Sequence, residues 1–219
     1  LHRGHALPHR TRQGRGLVPR AAGPLTMSGG TDIPLAVDLD GTLVRGDSLT
    51  AAIFAYARMR LWHPLHMGWW FAHGRPRLKQ RLAERVKLDW DTLPYNPQLY
   101  TFLEHERERG RHLVLATATD RAFAVEIAER CGLFHDVLAS DGKTNLKSRA
   151  KASWLVDRFG EKGFDYAGNE RADYAVWARA RKAIVVNAKP HVVREARRRF
   201  DVAEVFDCAE AGDSQGCAA

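Results

Sequence analysis

Short apolar runs alternate along the chain with stretches of helical period. Leu35-Ala36-Val37-Asp38, Leu113-Val114-Leu115-Ala116, Leu133-Phe134 continuing to Val137-Leu138-Ala139, Phe164-Asp165-Tyr166-Ala167 and Ala183-Ile184-Val185-Val186 read as buried strands. Brief apolar runs bounded by turn signals fit strands covered on both faces. Val202 to Phe206 reads as a last, edge strand. Between them the period changes. Asn96-Pro97 is a cap followed by a first-turn proline, and Leu99, Phe102 and Leu103 share one face, with Gly110 closing the helix. Arg121 to Arg130 reads as a helix stopped by Cys131-Gly132. Trp154, Leu155 and Phe159 mark another, and a basic helix runs from Pro190 to Phe200. Strands alternating with helices predict an α/β domain.

One region breaks the alternation. From about 46 to 94 the pattern is helical throughout: Ser48 caps a face of Leu49, Ile53, Tyr56 and Leu61, His63-Pro64 breaks it, and Leu78, Leu82 and Val86 form a further stripe. Between them lies the aromatic run Trp69-Trp70-Phe71. Arg58, Arg60 and Pro64 interrupt any run of the about 20 apolar residues needed to span a bilayer. The cluster reads first as the core of a small helical unit, and second as a patch that meets a lipid surface.

Composition changes the picture at the ends. The chain has 219 residues, 45% hydrophobic content and a net charge of +8. That is one ordinary domain with room for an insertion. Arg3, Arg10, Arg12, Arg15 and Arg20 all precede the first acid, Asp32. Residues 1–30 carry no apolar period and read as a disordered basic tail, excluded from the fold, with Met27 as the expected natural start. The folded domain is expected over 31–207 (core 31–45 and 95–207), with 208–219 frayed. Arg197-Arg198-Arg199 reads as a solvated face, as does Glu104 to Arg109, so no nucleic-acid partner is expected. Cys131, Cys208 and Cys217 are an odd number with no metal-like spacing, which fits a reducing compartment.

The first strand ends in Asp38-Leu39-Asp40-Gly41-Thr42. Asp-Gly alone is a common turn. Two acids one residue apart are less ordinary: on an extended chain they point to the same side, at the strand end where open α/β sheets bind ligands. Two crowded anions need a cation between them, and Mg²⁺ is the obvious one.

Val37-Asp38-Leu39-Asp40-Gly41-Thr42-Leu43 resembles the first motif of the haloacid dehalogenase-like (HAD) hydrolase superfamily. Matching segments follow in order. Thr117 ends an apolar strand as the second motif does. Lys151, with Lys147 as runner-up, fits the third, and Gly168-Asn169-Glu170-Arg171-Ala172-Asp173 fits the fourth. The resemblance implies a Rossmann-like three-layer parallel sheet, with the helical region at 46–94 as a C1-type cap. It implies Asp38 as the nucleophile, Asp40 as the general acid and base, Thr117 and Lys151 on the phosphoryl group, and Mg²⁺ held by Asp38, Asp40, Asn169 and Asp173. Thr119 and Asp120 read as the cap of the next helix. Family dehalogenases, phosphonatases and P-type ATPases carry another residue where Asp40 stands, so the resemblance points to a phosphatase acting on a small-molecule phosphate ester. Asn169 departs from the pattern, which has an acid there. Its amide oxygen still suits a hard cation but lacks the charge.

A narrower likeness lies in Ala139-Ser140-Asp141-Gly142, Thr144-Asn145-Leu146-Lys147 and Phe164-Asp165-Tyr166-Ala167-Gly168-Asn169. These resemble the HAD-type domain found ahead of UbiA-type polyprenyl prenyltransferases. That likeness extends the expectation to a prenyl- or lipid-linked phosphate, a membrane prenyltransferase as partner or fused domain, and a cytoplasmic location at the inner face of the membrane. The alternative is a catalytically weak regulatory or binding module for such an enzyme.

Overall fold

The computed structural model describes residues 33–46, 94–140 and 148–206. The basic tail, nearly all of the expected cap region, Lys147 and the C-terminal segment lie outside the described residues.

Six strands form one parallel sheet in the order β3-β2-β1-β4-β5-β6. They are β1 (Leu35–Val37), β2 (Leu113–Asp120), β3 (Asp136–Ser140), β4 (Asp165–Gly168), β5 (Ala183–Val186) and β6 (Val202–Phe206). The helices between them are α1 (Pro97–Glu108), α2 (Arg121–Cys131), α3 (Arg149–Phe159), the short α4 (Tyr174–Trp177) and α5 (Pro190–Arg199).

Alternation along β1 builds the layers. Leu35 and Val37 point into one core with Leu99 and Leu103 of α1 and Phe123 and Ile127 of α2. Ala36 points into the other, with Leu155 of α3, Trp177 of α4 and Val192 of α5. Successive side chains of a strand face opposite ways, so a central strand with helices on both faces must be apolar at every position. All three residues of β1 are fully buried. The expected three-layer α/β architecture is therefore present.

The boundaries differ in instructive ways. β2 runs on past Ala116 to Asp120, with an irregularity in its pairing to β3 between those residues. β3 begins at Asp136, so Leu133 and Phe134 are buried in the connection before it. β1 stops at Val37, and Asp40 joins Val44 in an isolated bridge beyond it. The chain does not stay extended from Asp38 to Asp40.

The chain leaves β1 for β2 and β3 on one side, then returns to β4 on the other. This reversal between β1 and β4 opens a crevice at the carboxyl ends of the strands. Asp38 and Asn169 are the residues that immediately follow the two strands.

Candidate active site

Lys151 comes from the first turns of α3 and is only 3% exposed. Its Nζ donates to Asp38 Oδ1 and to the Tyr166 hydroxyl, each at 2.8 Å. A lysine buried to this degree is rare unless it is paired, and here it is paired with the carboxylate that ends β1. Lys151, the lysine preferred in the sequence, thus stands beside Asp38, and Lys147 lies outside the described residues.

Asp38 is itself under tension. Burial pushes its pKa up, Lys151 pulls it down, and the charges of Asp173 and Asp40 push it up again, leaving it at about 7. A nearby cation would return it to the ionised form.

Asp40 is held from the neighbouring strand. The Thr119 hydroxyl donates to Asp40 Oδ2 at 2.5 Å, and the Thr119 backbone N–H donates to Thr117 Oγ1 at 3.0 Å. Thr117 is fully buried at the carboxyl half of β2. Asp120 does cap α2, accepting from the Ala122 N–H at 2.9 Å. Thr119 does not join it as a cap; it belongs to β2, and its hydroxyl turns to Asp40.

The loop after β4 carries the other half of the site. Asp173 Oδ2 accepts from the backbone N–H groups of Asn169 and Glu170 at 2.9 and 3.0 Å, and its Oδ1 accepts from the Tyr166 hydroxyl at 2.9 Å. These bonds hold the loop after β4 against Asp173. Asn169 is different. Its amide lies against Gly41, where a Cβ would come within 2.1 Å of Nδ2, and its Oδ1 is buried with no hydrogen-bond partner among the described residues. A buried acceptor left unmatched costs about 1–3 kcal/mol.

The residues present fit Mg²⁺. An unmatched amide oxygen and a carboxylate crowded by two other acids are what a hard, oxygen-seeking cation relieves. Among the described residues no three acidic, His or Cys side chains converge on one point. Asp38, the Asp40 carbonyl and Asn169 are the candidate donors.

The turn after β1 is pinned from outside. Asn187 Nδ2 donates to the carbonyls of Gly41 and Thr42 at 3.0 and 3.1 Å, and Asn187 Oδ1 accepts from Asn96 Nδ2 at 2.6 Å. Asn96 Oδ1 meanwhile caps α1 through the Leu99 N–H at 3.0 Å. Asn187 adopts φ of +50°, a conformation Asn tolerates better than most residues.

The structure thus links Asp38, Lys151, Asp173 and Asn169 in one line and Asp40 to Thr117 in another. Sequence reasoning missed Tyr166, Thr119 and Asn187. Tyr166 read as strand core, although a buried phenol calls for a partner at its tip. Asn187 lies between the last buried strand and the basic helix, in a stretch with no apolar pattern to single it out.

A six-stranded parallel sheet with helices on both faces and a crevice at this switch point defines a Rossmann-like α/β fold. The model of the haloacid dehalogenase-like hydrolase family matches residues 35–176, and the chain belongs to that family. It is 38% identical over 157 residues to the uncharacterised protein y4nM of Sinorhizobium fredii, a match covering 70% of this chain and 30% of that protein. The matched region thus spans under a third of that longer relative. Among solved structures, a protein of unknown function from Bordetella pertussis Tohama I superposes with a TM-score of 0.59 at 18% identity, over 81% of this chain and 99% of that one. A phosphoserine phosphatase in apo form gives 0.53 at 15%, over 81% and 94%. A predicted phosphoglycolate phosphatase from Haemophilus somnus gives 0.54 at 20%, over 82% and 96%. At these identities the structural likenesses speak for the fold.

Proposed function

We propose that the protein is a Mg²⁺-dependent phosphomonoester hydrolase that works through an aspartyl-phosphate at Asp38. The observation that carries this reading is the buried Lys151–Asp38 pair at the switch point, 2.8 Å between Nζ and Oδ1. A hydrolase of this family with an acid at the tip of β1 and a cation fixed on it is arranged for attack on phosphorus.

In this reading Asp38 Oδ attacks phosphorus in line, the P–O bond to the leaving group breaks, and the phosphoryl group passes to the carboxylate. Asp40 protonates the departing oxygen, then takes a proton from the water that hydrolyses the acyl phosphate. Thr119 holds Asp40 Oδ2 toward β2 and sets the direction of that carboxyl. Thr117 and Lys151 position the transferring group and offset its charge, the work that dominates phosphoryl transfer. Asp38, the Asp40 carbonyl and Asn169 would hold Mg²⁺, which when bound supplies charge neutralisation for the phosphoryl oxygens. The neutral Asn169 makes that hold weaker than an acid would.

The solved phosphoserine phosphatase and the predicted phosphoglycolate phosphatase among the structural neighbours support a phosphate ester as substrate class. The resemblance to prenyltransferase-linked domains, with the aromatic run Trp69-Trp70-Phe71 in the sequence, supports a prenyl or lipid phosphate within that class. The match to less than a third of a longer relative supports an association with a further domain. Among the described residues no helix is long and apolar enough to cross a membrane.

The test is phosphate release from a generic phosphomonoester such as p-nitrophenyl phosphate, with Mg²⁺ and with chelator. Wild-type protein should turn over only with the ion. Asp38→Asn should lower kcat by at least about a thousandfold while keeping the far-ultraviolet circular dichroism of the wild type. Wild-type rates in that variant would remove Asp38 as nucleophile. No release from the wild type with Mg²⁺ on simple or isoprenoid phosphates would leave a binding module.

A further inference from the structure

Two of the three hydrogens on the Lys151 ammonium have assigned acceptors, Asp38 Oδ1 and the Tyr166 hydroxyl, each at 2.8 Å. The phenol carries the line onward by donating to Asp173 Oδ1 at 2.9 Å. Asp173 is fixed on its other side by the backbone of Asn169 and Glu170. An unbroken row of hydrogen bonds therefore runs from the end of β1 to the loop after β4.

The ring is set for this place. Tyr166 is fully buried in the middle of β4, its carbonyl accepts from Trp177 Nε1 at 3.1 Å, and Lys151 Nζ lies 5.4 Å from its ring centroid. Gly168 makes room. A Cβ there would meet the Asp173 carboxylate at 2.7 Å and Tyr166 Cε1 at 2.9 Å. Burial first, then the charges of Asp173 and Asp38, push the phenol's pKa well above its ordinary value, so the hydroxyl remains a donor to Asp173.

The physical problem solved here is competition. Lys151 has two carboxylates in its neighbourhood, and a buried ammonium is drawn to both. We infer that Tyr166 is a positioning residue that keeps Lys151 on Asp38, its hydroxyl standing between the ammonium and Asp173 and blocking a direct ion pair between them. Remove the oxygen and the lysine keeps one fixed partner, Asp173 Oδ1 loses one, and the ammonium swings toward Asp173. The inference rests on the proposed roles of Asp38 and Lys151 for its effect on rate, but its geometry can be read without turnover.

The experiment pairs kinetics with nitrogen-15 spectroscopy of the lysine ammonium on the full chain. In the wild type the Lys151 ammonium should give a signal protected from solvent exchange, assigned by its loss in Lys151→Met. In Tyr166→Phe that signal should shift or broaden, and kcat/KM for p-nitrophenyl phosphate at saturating Mg²⁺ should fall about ten- to a hundredfold, the scale of a misplacement near 1 Å. A drop in Tm with the signal and kcat/KM unchanged overturns the inference, because a merely structural tyrosine does that. Gly168→Ala keeps the hydroxyl but presses on ring and carboxylate, and should move the same signal. An unmoved signal in either folded variant overturns the assignment. If the wild type releases no phosphate, the functional reading fails while the spectroscopic arm still decides this one.

Discussion

At Asp38 the carboxylate accepts one hydrogen bond from Lys151 and feels the charges of two other acids, Asp173 and Asp40. Its pKa rises from the ordinary 3.8 to about 7, burial being the largest cause. The consequence for stability has a definite sign. Between pH 4 and 7 the folded state binds more protons than the unfolded one, so this residue's contribution falls as pH rises through that window and stays lowered above it. Metal-free wild type should therefore lose Tm, relative to Asp38→Asn, between pH 5 and pH 8. Added Mg²⁺ should restore more at pH 8 than at pH 5, because it binds the ionised carboxylate. Melting curves of both proteins at the two pH values, with and without the ion, check this. Parallel curves for wild type and variant would show that Asp38 is not strained in this way.

Strands and helices were the legible part of this chain because burial on both faces leaves an unmistakable apolar run, as in Leu113 to Ala116, and because caps such as Asn96-Pro97 have a local chemistry. The paired acids and Lys151 were legible through their order along the chain. Thr119, Tyr166 and Asn187 were not, since each acts on a residue distant in sequence: Thr119 on Asp40, Tyr166 on Lys151 and Asn187 on Gly41. Glu106 shows the same limit, reading as a solvent-face acid yet pairing with the buried Arg111 at 2.5 Å. At the scale of one element, the turn after β1 makes a sharper demand. Gly41 has φ of +75°, and any Cβ there would strike the Asn169 amide. Gly41→Ala should thus cost about 1–2 kcal/mol in backbone strain, or roughly 2–4 °C in Tm for each kcal/mol in a chain of this size. It should also raise the Mg²⁺ concentration needed for half-maximal activity by displacing Asn169. Thermal melts and a metal titration of activity read the two effects separately, and an unchanged metal requirement would detach Asn169 from the ion.

Across the whole molecule, the two ends of the sheet treat charge in opposite ways. At the amino ends, Asp165 begins β4, is 3% exposed, and is fully matched. Its Oδ1 accepts from Arg181 Nε at 2.9 Å and the Lys182 N–H at 3.0 Å; its Oδ2 accepts from Arg181 at 2.7 Å and also from Arg111. Arg111 in turn reaches the Ile33 carbonyl at 2.9 Å, tying the start of β1 to the same cluster. At the carboxyl ends, Asn169 Oδ1 has no partner among the described residues and Asp38 is held near neutrality. The first arrangement stabilises a fold, whereas the second leaves capacity for a ligand, and both are anchored on the same two central strands. This division predicts separable phenotypes. Asp165→Ala takes one partner from the buried Arg111, which keeps Glu106 and the Ile33 carbonyl, and one from the exposed Arg181; it should cost about 1–3 kcal/mol, seen as a lower denaturation midpoint with unchanged slope. At a temperature where the variant is still folded, its phosphate release per folded molecule should stay within about twofold of the wild type, since kinetics and stability are set at opposite ends of the sheet. A variant that kept its stability but lost turnover would mean that the amino-terminal cluster reaches the crevice through β4.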